Sequence, residues 1–365
     1  ATTSYTVIVT NTTTGCTGTG NATVTLTSGM GGTYTVGVGG NYTTLTAAVN
    51  AYNAAPCITA PIVFSLIDNT YPSETFPITI NSNAAASSTN TLTIKPAVGK
   101  TPVITGSSTV AIIKMNGADY VTIDGSNTAG GTSRNLTLVN TSTDYLTSTI
   151  VWMCSPNSSN GATNNTIKNT IFTGNSSTTT FTELLTSGSV AGDIAEAANS
   201  NNTIQNNLFT KGQTAIAIVG PTGNETGNII TGNTIGSTVA ASKFGWSGIE
   251  LYQQANAKVT NNTIFGITSS DGSITTSGIS VFGTASNDSI AGNTISDVKH
   301  TNSIGYAPTV SGWHLLQPRQ TLLYIIILCL MLPHTGTPVA AAMRITAMEF
   351  LWMTAVDIIF ITIQY

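Results

Sequence analysis

Through most of the chain, apolar residues come in short alternating runs. PIVFSLI (61–67), FPITI (76–80), NTLTIKP (90–96), TPVITG (101–106), VAIIKMNG (110–117) and DYVTIDGSN (119–127) follow one another closely. β-Branched and aromatic residues at alternate positions, bounded by Gly, Pro and Asn, predict strands. One stretch has the other period. In NYTTLTAAVNAYNAAP, Leu45, Ala48, Val49 and Tyr52 fall at i, i+3, i+4 and i+7. That spacing predicts a single short helix, capped by Thr43 or Thr44 and stopped near Pro56. Residues 1–27 predict a hairpin around a Gly/Thr turn, with Tyr5, Val7 and Val9 on one face of its first strand.

From Asn164 the pattern becomes a repeat. NNTIQNNLF (201–209) recurs in looser form as NNTIKNTIF, GNIITGNTI, AKVTNNTIF and DSIAGNTIS. With Ile167, Ile204, Ile230, Val259 and Ile290 as anchors, the steps are 37, 26, 29 and 31 residues. Periods in this range mark solenoids and other tandem arrays. A second strand recurs between anchors as AIAIVG (215–220), GIELYQ (248–253) and GISVFG (278–283), so each turn carries at least two strands. Stacked turns pair strand on strand about 4.8 Å apart, with Ile, Val and Leu inside and Thr and Ser outside. Asn207, Asn233, Asn262 and Asn293 sit at matching corners and predict a ladder of side-chain amides. The helix suits a plug over the open end, where apolar core and strand edges are otherwise bare.

TIDG at Thr122–Gly125, the N-x-I…N-x-[IF] corners and the G-I-x-[LV] strands resemble those of right-handed parallel β-helix repeat proteins. Residues 41–140 are similar to β-helix modules of large secreted or cell-surface proteins from Bacteroidetes-type bacteria. The likeness spans roughly 31–306. The N-terminal hairpin resembles the last two strands of PKD-like and immunoglobulin-like modules. Together these imply an all-β chain: a right-handed parallel β-helix with a short N-terminal capping helix and a partial β-sandwich hairpin. The divisions expected are 1–28 (end of a sandwich module), 29–60 (linker and helical cap), 61–306 (parallel β-helix) and 307–365. The resemblance further implies export by type IX secretion and an extracellular or cell-surface location.

Residues 307–365 are written in a different language, rich in Met, Leu, Ile, Trp and His. Leu322–Leu332 is apolar for only 11 residues, and 340–365 is broken by Arg344, Glu349 and Asp357. A membrane-spanning helix takes ~20 residues, so membrane insertion is not expected. A reading-frame error explains the change better. When each codon is replaced by its third base plus the first two of the next, Met348-Glu349 must yield Gly, and Trp352-Met353 must yield Asp. With permitted third bases, Leu323–Leu330 reads Ile-Tyr-Asn-Asn-Phe-Val-Ser, a corner phrase 33 residues beyond Ile290. The tail therefore reads as out of frame, and none of its residues receives a role. The source DNA is expected to carry an insertion or deletion around Ser303–Pro308; clean coverage in the present frame sinks the idea.

Composition narrows the chemistry. Charged residues make up 7% of the chain, against about 25% in ordinary domains. The net charge of −4, with no basic cluster, argues against nucleic acid as a partner. Cys16, Cys57, Cys154 and Cys329 form no CxxC or Cys/His set, so neither a metal site nor a cofactor is predicted. A Cys16–Cys57 disulfide is one pairing among the three that four cysteines allow.

Parallel β-helices also host pectate lyases and polygalacturonases, so a polysaccharide-active enzyme (a lyase or glycoside hydrolase on a pectin-lyase-like β-helix) is the competing class. The polygalacturonase signatures N-T-D, D-D, G-H-G and R-I-K are absent. Asp124 and Asp271 read as turn residues, and Cys154 as a buried thiol. Glu250, with Trp246 and Tyr252 close by, forms the candidate carbohydrate contact: aromatic faces stack on sugar rings, and a carboxylate accepts from hydroxyls. No catalytic residue is assigned. The expected function is a non-catalytic stalk, adhesin or carbohydrate-contact surface, with polysaccharide or cell-surface glycan as partner. An enzyme would instead bring two carboxylates and an Arg or Lys together in one groove.

Overall fold

A computed structural model describes residues 2–25, 29–301, 309–314 and 325–329. The chain is an all-β parallel solenoid with one α-helix and a small antiparallel hairpin among the described residues. Three stacks of parallel strands form its faces. Face 1 begins with Met30–Val36, Ile58–Leu66, Leu92–Pro96 and Val121–Asp124, and up to the first half of Ser289–Ile295 it counts nine strands among the described residues. Face 2 runs from Val103–Gly106 to the second half of Ser289–Ile295. Face 3 runs from Ile78–Asn81 through Thr182–Ser187, Thr214–Val219, Ser247–Ala255 and Ser277–Ser286.

The register explains the repeat. Ile94, Ile123, Ile167, Ile204, Ile230, Val259 and Ile290 align as Cα partners on face 1, and all are buried. On face 2, Phe172 stacks on Phe209 with ring centroids 4.6 Å apart, and Ile235, Ile264 and Ile295 continue the column. These inward columns supply the burial that drives folding.

Within NNTIQNNLF, the four Asn residues divide between two jobs. Asn201 and Asn206 hold φ of +59° and +50°, a left-handed conformation that Asn and Gly adopt far more readily than other residues. Equivalent positions elsewhere are Asn164 and Asn169, Gly227 and Gly232, Asn256 and Asn261, Asn287 and Gly292, all with positive φ. Two such bends five residues apart turn the chain from face 3 into face 1 and from face 1 into face 2. The residue after each bend carries the ladder. At the second bend, Asn207 N and Nδ2 donate to Asn233 Oδ1 at 2.9 and 3.1 Å. Asn233 bonds Asn262 in the same way at 2.9 and 3.0 Å, and Asn262 bonds Asn293 at 2.9 and 2.9 Å. All four side chains are buried. A second ladder, which sequence reasoning missed, runs at the first bend through Asn165, Asn202 and Asn228, each backbone N–H donating to the next amide at 2.9 Å.

The helix, Leu45–Ala54, buries Leu45, Ala48, Val49 and Tyr52. Thr44 Oγ1 accepts from Ala47 N at 3.0 Å, and Glu74 accepts from Leu45 N and Thr46 N at 2.6 and 2.7 Å. A carboxylate there satisfies orphan donors and favours the positive end of the helix dipole. The helix packs against the first strand of face 3. There Asn53 Nδ2 donates to Thr79 O at 2.7 Å and its Oδ1 accepts from Asn81 N at 2.9 Å. One side chain thus pairs with an edge strand as a neighbouring strand would.

The stretch expected as a linker differs. Met30–Val36 is the first strand of face 1 and pairs in parallel with Ile58–Leu66, so solenoid pairing begins at residue 30 instead of 61. Glycine there answers to packing: a Cβ on Gly31 would lie 2.7 Å from Thr59 Oγ1 and 2.9 Å from Ala60 N. The hairpin pairs Thr2–Thr10 with Thr17–Thr25 and leaves Tyr5, Val7, Ile8 and Val9 exposed. Cys16, Cys57 and Cys154 are unpaired. In the tail, the backbone of Thr309–His314 pairs with Ser277–Ser286 and that of Ile325–Cys329 with Ser289–Ile295; the rest of 307–365 lies outside the described residues, so the frame expectation rests on sequence.

Candidate functional site

The outward side of face 3 carries the candidate site. In the strand Ser247–Ala255, Ile249 and Leu251 point into the core and are fully buried, so Glu250 and Tyr252 point outward by alternation. Register places Ala217 and Ser280 beside Glu250 on the neighbouring turns, and Val219 and Phe282 beside Tyr252. Trp246 leads into the strand. The geometry produces two abutting hollows. One, of about 260 Å³, is lined by Trp246, Glu250, Ile274, Thr275, Ser277, Ser280 and Phe282. The other, of about 190 Å³, is walled by Ile194, Val219 and Tyr252 and shares Glu250 and Phe282 with the first.

Ile194 belongs to a loop that Glu196 pins down. The Glu196 carboxylate accepts from Ser189 N at 2.9 Å and from Ser155 Oγ at 2.8 Å, and these bonds hold its pKa below the usual range against the opposing effect of burial. Glu250 behaves oppositely. Part of its surface stays open to the hollows, but the protein crowding its carboxyl pushes its pKa up to about 7, with a bond from Ser247 pulling the other way. Behind it runs a chain of hydroxyls: Ser280 Oγ donates to Ser277 Oγ at 2.6 Å, and the Ser277 and Ser247 hydroxyls are hydrogen-bonded at 2.9 Å.

The three residues singled out by sequence meet here: Trp246 and Glu250 line one hollow, Glu250 and Tyr252 the other. Sequence reasoning missed Phe282, Ser277, Ser280, Ile274 and the Ile194 loop. Superposing GIELYQ on GISVFG would have paired Tyr252 with Phe282 and Glu250 with Ser280. Gly248 is needed there because a Cβ on it would lie 2.5 Å from the Gly278 carbonyl oxygen.

Other candidates resolve into structural roles. Asp124 Oδ1 accepts from Ser126 N at 3.0 Å and from Asn169 Nδ2 at 2.7 Å, and Lys168 lies 3.4 Å from Oδ2. Gly125 follows because a Cβ would run into the Asn169 carbonyl of the next turn. Asp271 Oδ1 closes its turn on Ser273 N at 2.9 Å. Burial pushes the Cys154 thiol up to about 11, which leaves it un-ionised and unreactive at neutral pH. Among the described residues no group of three His, Cys, Asp or Glu stands close enough to hold a metal ion.

Three buried carboxyls were also missed. Glu183 Oε1 accepts from Gly174 N at 2.9 Å, and burial raises its pKa well above the ordinary value. Glu225 Oε1 accepts from Asn228 Nδ2 at 3.2 Å, and burial pushes it up to about 8. Asp288 stands at the first bend in a position equivalent to the ladder Asn residues, accepts from Ala257 N at 2.7 Å and is raised by burial to about 6.

Fold and face together define a parallel β-solenoid protein with a small aromatic and acidic hollow on one sheet. A search of solved structures finds a likeness to the A-module of the Azotobacter vinelandii mannuronan C-5 epimerase AlgE6, with a TM-score of 0.36 and 15% identity over 69% of this chain and 71% of that one. No family model and no curated protein matches the sequence.

Proposed function

We propose that this chain is a non-catalytic β-solenoid that contacts carbohydrate through the two hollows of face 3, as a stalk or adhesin of a secreted or cell-surface protein like the Bacteroidetes-type modules it resembles. The observation that carries the proposal is the convergence of Trp246, Glu250, Tyr252 and Phe282 on adjoining concavities. Concave, mostly apolar sites with a few placed polar groups are the usual form of small-ligand sites, and aromatic rings offer rigid, amphipathic area. The hairpin fits the edge of a sandwich module, because its apolar side chains stay exposed as a second sheet would require. Among the described residues no helix is long and apolar enough to cross a membrane.

One observation favours the enzyme reading: a carboxyl with a pKa of about 7 is poised for general acid–base work near neutral pH. Glycoside hydrolysis takes a pair of carboxyls, and among the described residues Glu250 is the single one lining either hollow, with no Arg or Lys in the lining beside it. A glycan array run with the purified chain, paired with a reducing-sugar assay, separates the two. The expected outcome is retention of a defined glycan set and no sugar release. Trp246→Ala is expected to weaken retention at least about tenfold, equivalent to about 1.4 kcal/mol. Cleavage of any polysaccharide overturns the non-catalytic proposal.

A further inference from the structure

We propose that the site takes an uncharged disaccharide unit, one ring in each hollow with Glu250 at the junction, and that it discriminates against acidic glycans. This rests on the carbohydrate-contact proposal and adds the class of sugar.

Size comes first. Hollows of about 260 and 190 Å³ fall below the ~300 Å³ lower end of sites for drug-sized ligands, which suits single rings. The two share Glu250 and Phe282, so a linkage between the rings would pass over that pair. Chemistry comes next. Trp246, Ile274 and Phe282 give the larger hollow apolar walls, and Thr275, Ser277 and Ser280 give it neutral hydroxyls. Those groups match the C–H faces and hydroxyls of a neutral ring. Ser280 Oγ spends its proton on Ser277, which leaves its lone pairs to accept from a sugar O–H.

Charge decides the class. An acidic sugar brings a carboxylate that needs a cation or several donors once water is excluded. No Lys, Arg or His lines either hollow among the described residues. Following the register down face 3 from Glu250, the partners are Ala217, Leu185, Trp152 and then Lys114. Four strand spacings put that lysine about 19 Å away, and its amine already sits 4.1 Å over the Trp152 ring. Lys243, in the segment before Trp246, is held by Asp297 at 2.6 Å. At pH 7.5, above the Glu250 pKa of about 7, a uronate bound here would face that carboxylate with no Lys, Arg or His among the described lining residues to compensate it, and like charges at a shared site repel.

Isothermal titration of the full chain at pH 7.5 with neutral gluco- and manno-oligosaccharides, oligouronates and amino-sugar oligomers of equal length tests the proposal. Neutral oligomers are expected to bind at least about tenfold more tightly than oligouronates. Glu250→Lys is expected to invert that order, with melting curves confirming that the variant folds, and Trp246→Ala to weaken the neutral ligand about tenfold. Oligouronate bound as tightly as the neutral ligand, in a Trp246-dependent way, overturns the neutral-sugar class while the carbohydrate-contact proposal stands. Preferred binding of the amino-sugar oligomer, lost in Glu250→Lys, does the same in favour of cationic sugars. Binding of no glycan of any class overturns both.

Discussion

Raising the pH from 5 to 8 is expected to lower the melting temperature of the chain, and Glu225→Gln to remove part of that loss. Glu225 and Glu183 are both buried inside the solenoid with raised pKa values, Glu225 to about 8. An unfolded Glu releases its proton near ~4.3. Between that value and the folded one, the native state holds a proton that the unfolded state has shed. Stability is therefore fully present below the unfolded value and declines as pH rises toward the folded one. The slope is about 1.4 kcal/mol per pH unit for each such carboxyl. Asp288, raised to about 6, adds to the decline in the lower part of the window, and Glu250, raised to about 7, adds to it through the middle. Asp144, Glu196 and Asp297 are shifted downward, so they titrate below it and leave the sign unchanged. Gln is the neutral isostere of a protonated Glu and keeps an acceptor for Asn228 Nδ2, now 3.2 Å from Glu225 Oε1. Melting followed by circular dichroism at pH 5, 6.5 and 8 and constant ionic strength is expected to show wild type and Glu225→Gln close together at pH 5 and the variant higher at pH 8. A flat wild-type profile, or one that the substitution leaves unmoved, would rule out a proton-holding core.

The fold was legible because its signal is repeated. One inward Ile per turn on face 1, one inward Phe or Ile five residues later and a fixed Asn between them gave period, register and inside from outside. What stayed hidden was the division of labour between adjacent Asn residues. Sequence pattern shows that Asn206 and Asn207 are both Asn; their jobs, a left-handed bend and a ladder rung, differ in backbone conformation, which composition does not record. Gly227 and Gly232 held a partial clue, since Gly replaces Asn at bend positions and not at Asn207, Asn233, Asn262 or Asn293. The strand at Met30–Val36 was hidden for the reverse reason. Its glycines read as a linker, but Gly31 is there because Thr59 and Ala60 press against it, and close approach between turns leaves no local pattern.

The site was half legible. Trp246, Glu250 and Tyr252 lie within seven residues, so chain proximity alone grouped them. Phe282, Ser277 and Ser280 arrive from the next turn through strand register, and Ile194 arrives on a loop anchored by Glu196. Glu183 and Glu225 were passed over as scattered acids. Burial inside the solenoid, and with it their raised pKa, depends on which way each points in its turn.

Replacing one rung of the ladder is expected to be the most damaging substitution in the solenoid. Asn233 Oδ1 accepts from both Asn207 N and Asn207 Nδ2, and its own Nδ2 donates to Ile204 O at 2.9 Å and to Asn262 Oδ1 at 3.0 Å. Asn233→Leu takes the partner from Asn207 N–H, from one of the two Asn207 Nδ2 N–H groups (the other keeps Ile167 O at 2.9 Å) and from the Ile204 carbonyl, in a dry interior where Asn207, Ile204 and Asn262 are all at most 1% exposed. Each orphan costs about 1–3 kcal/mol, so the total is roughly 3–9 kcal/mol, a large share of a domain's stability of about 5–15 kcal/mol. Turns of a solenoid contact only their neighbours, so the loss falls on the junction between the turns carrying Asn207 and Asn233. Urea unfolding is then expected to split into two transitions where wild type shows one. Asn256→Gly supplies the comparison: Asn256 holds φ of +56° at a bend, a conformation Gly adopts freely, and the variant is expected to stay within about 0.5 kcal/mol of wild type. A cost below about 1 kcal/mol for Asn233→Leu, with a single unchanged transition, would show that the ladder decorates the corner and that the inward Ile and Phe columns alone hold the turns together.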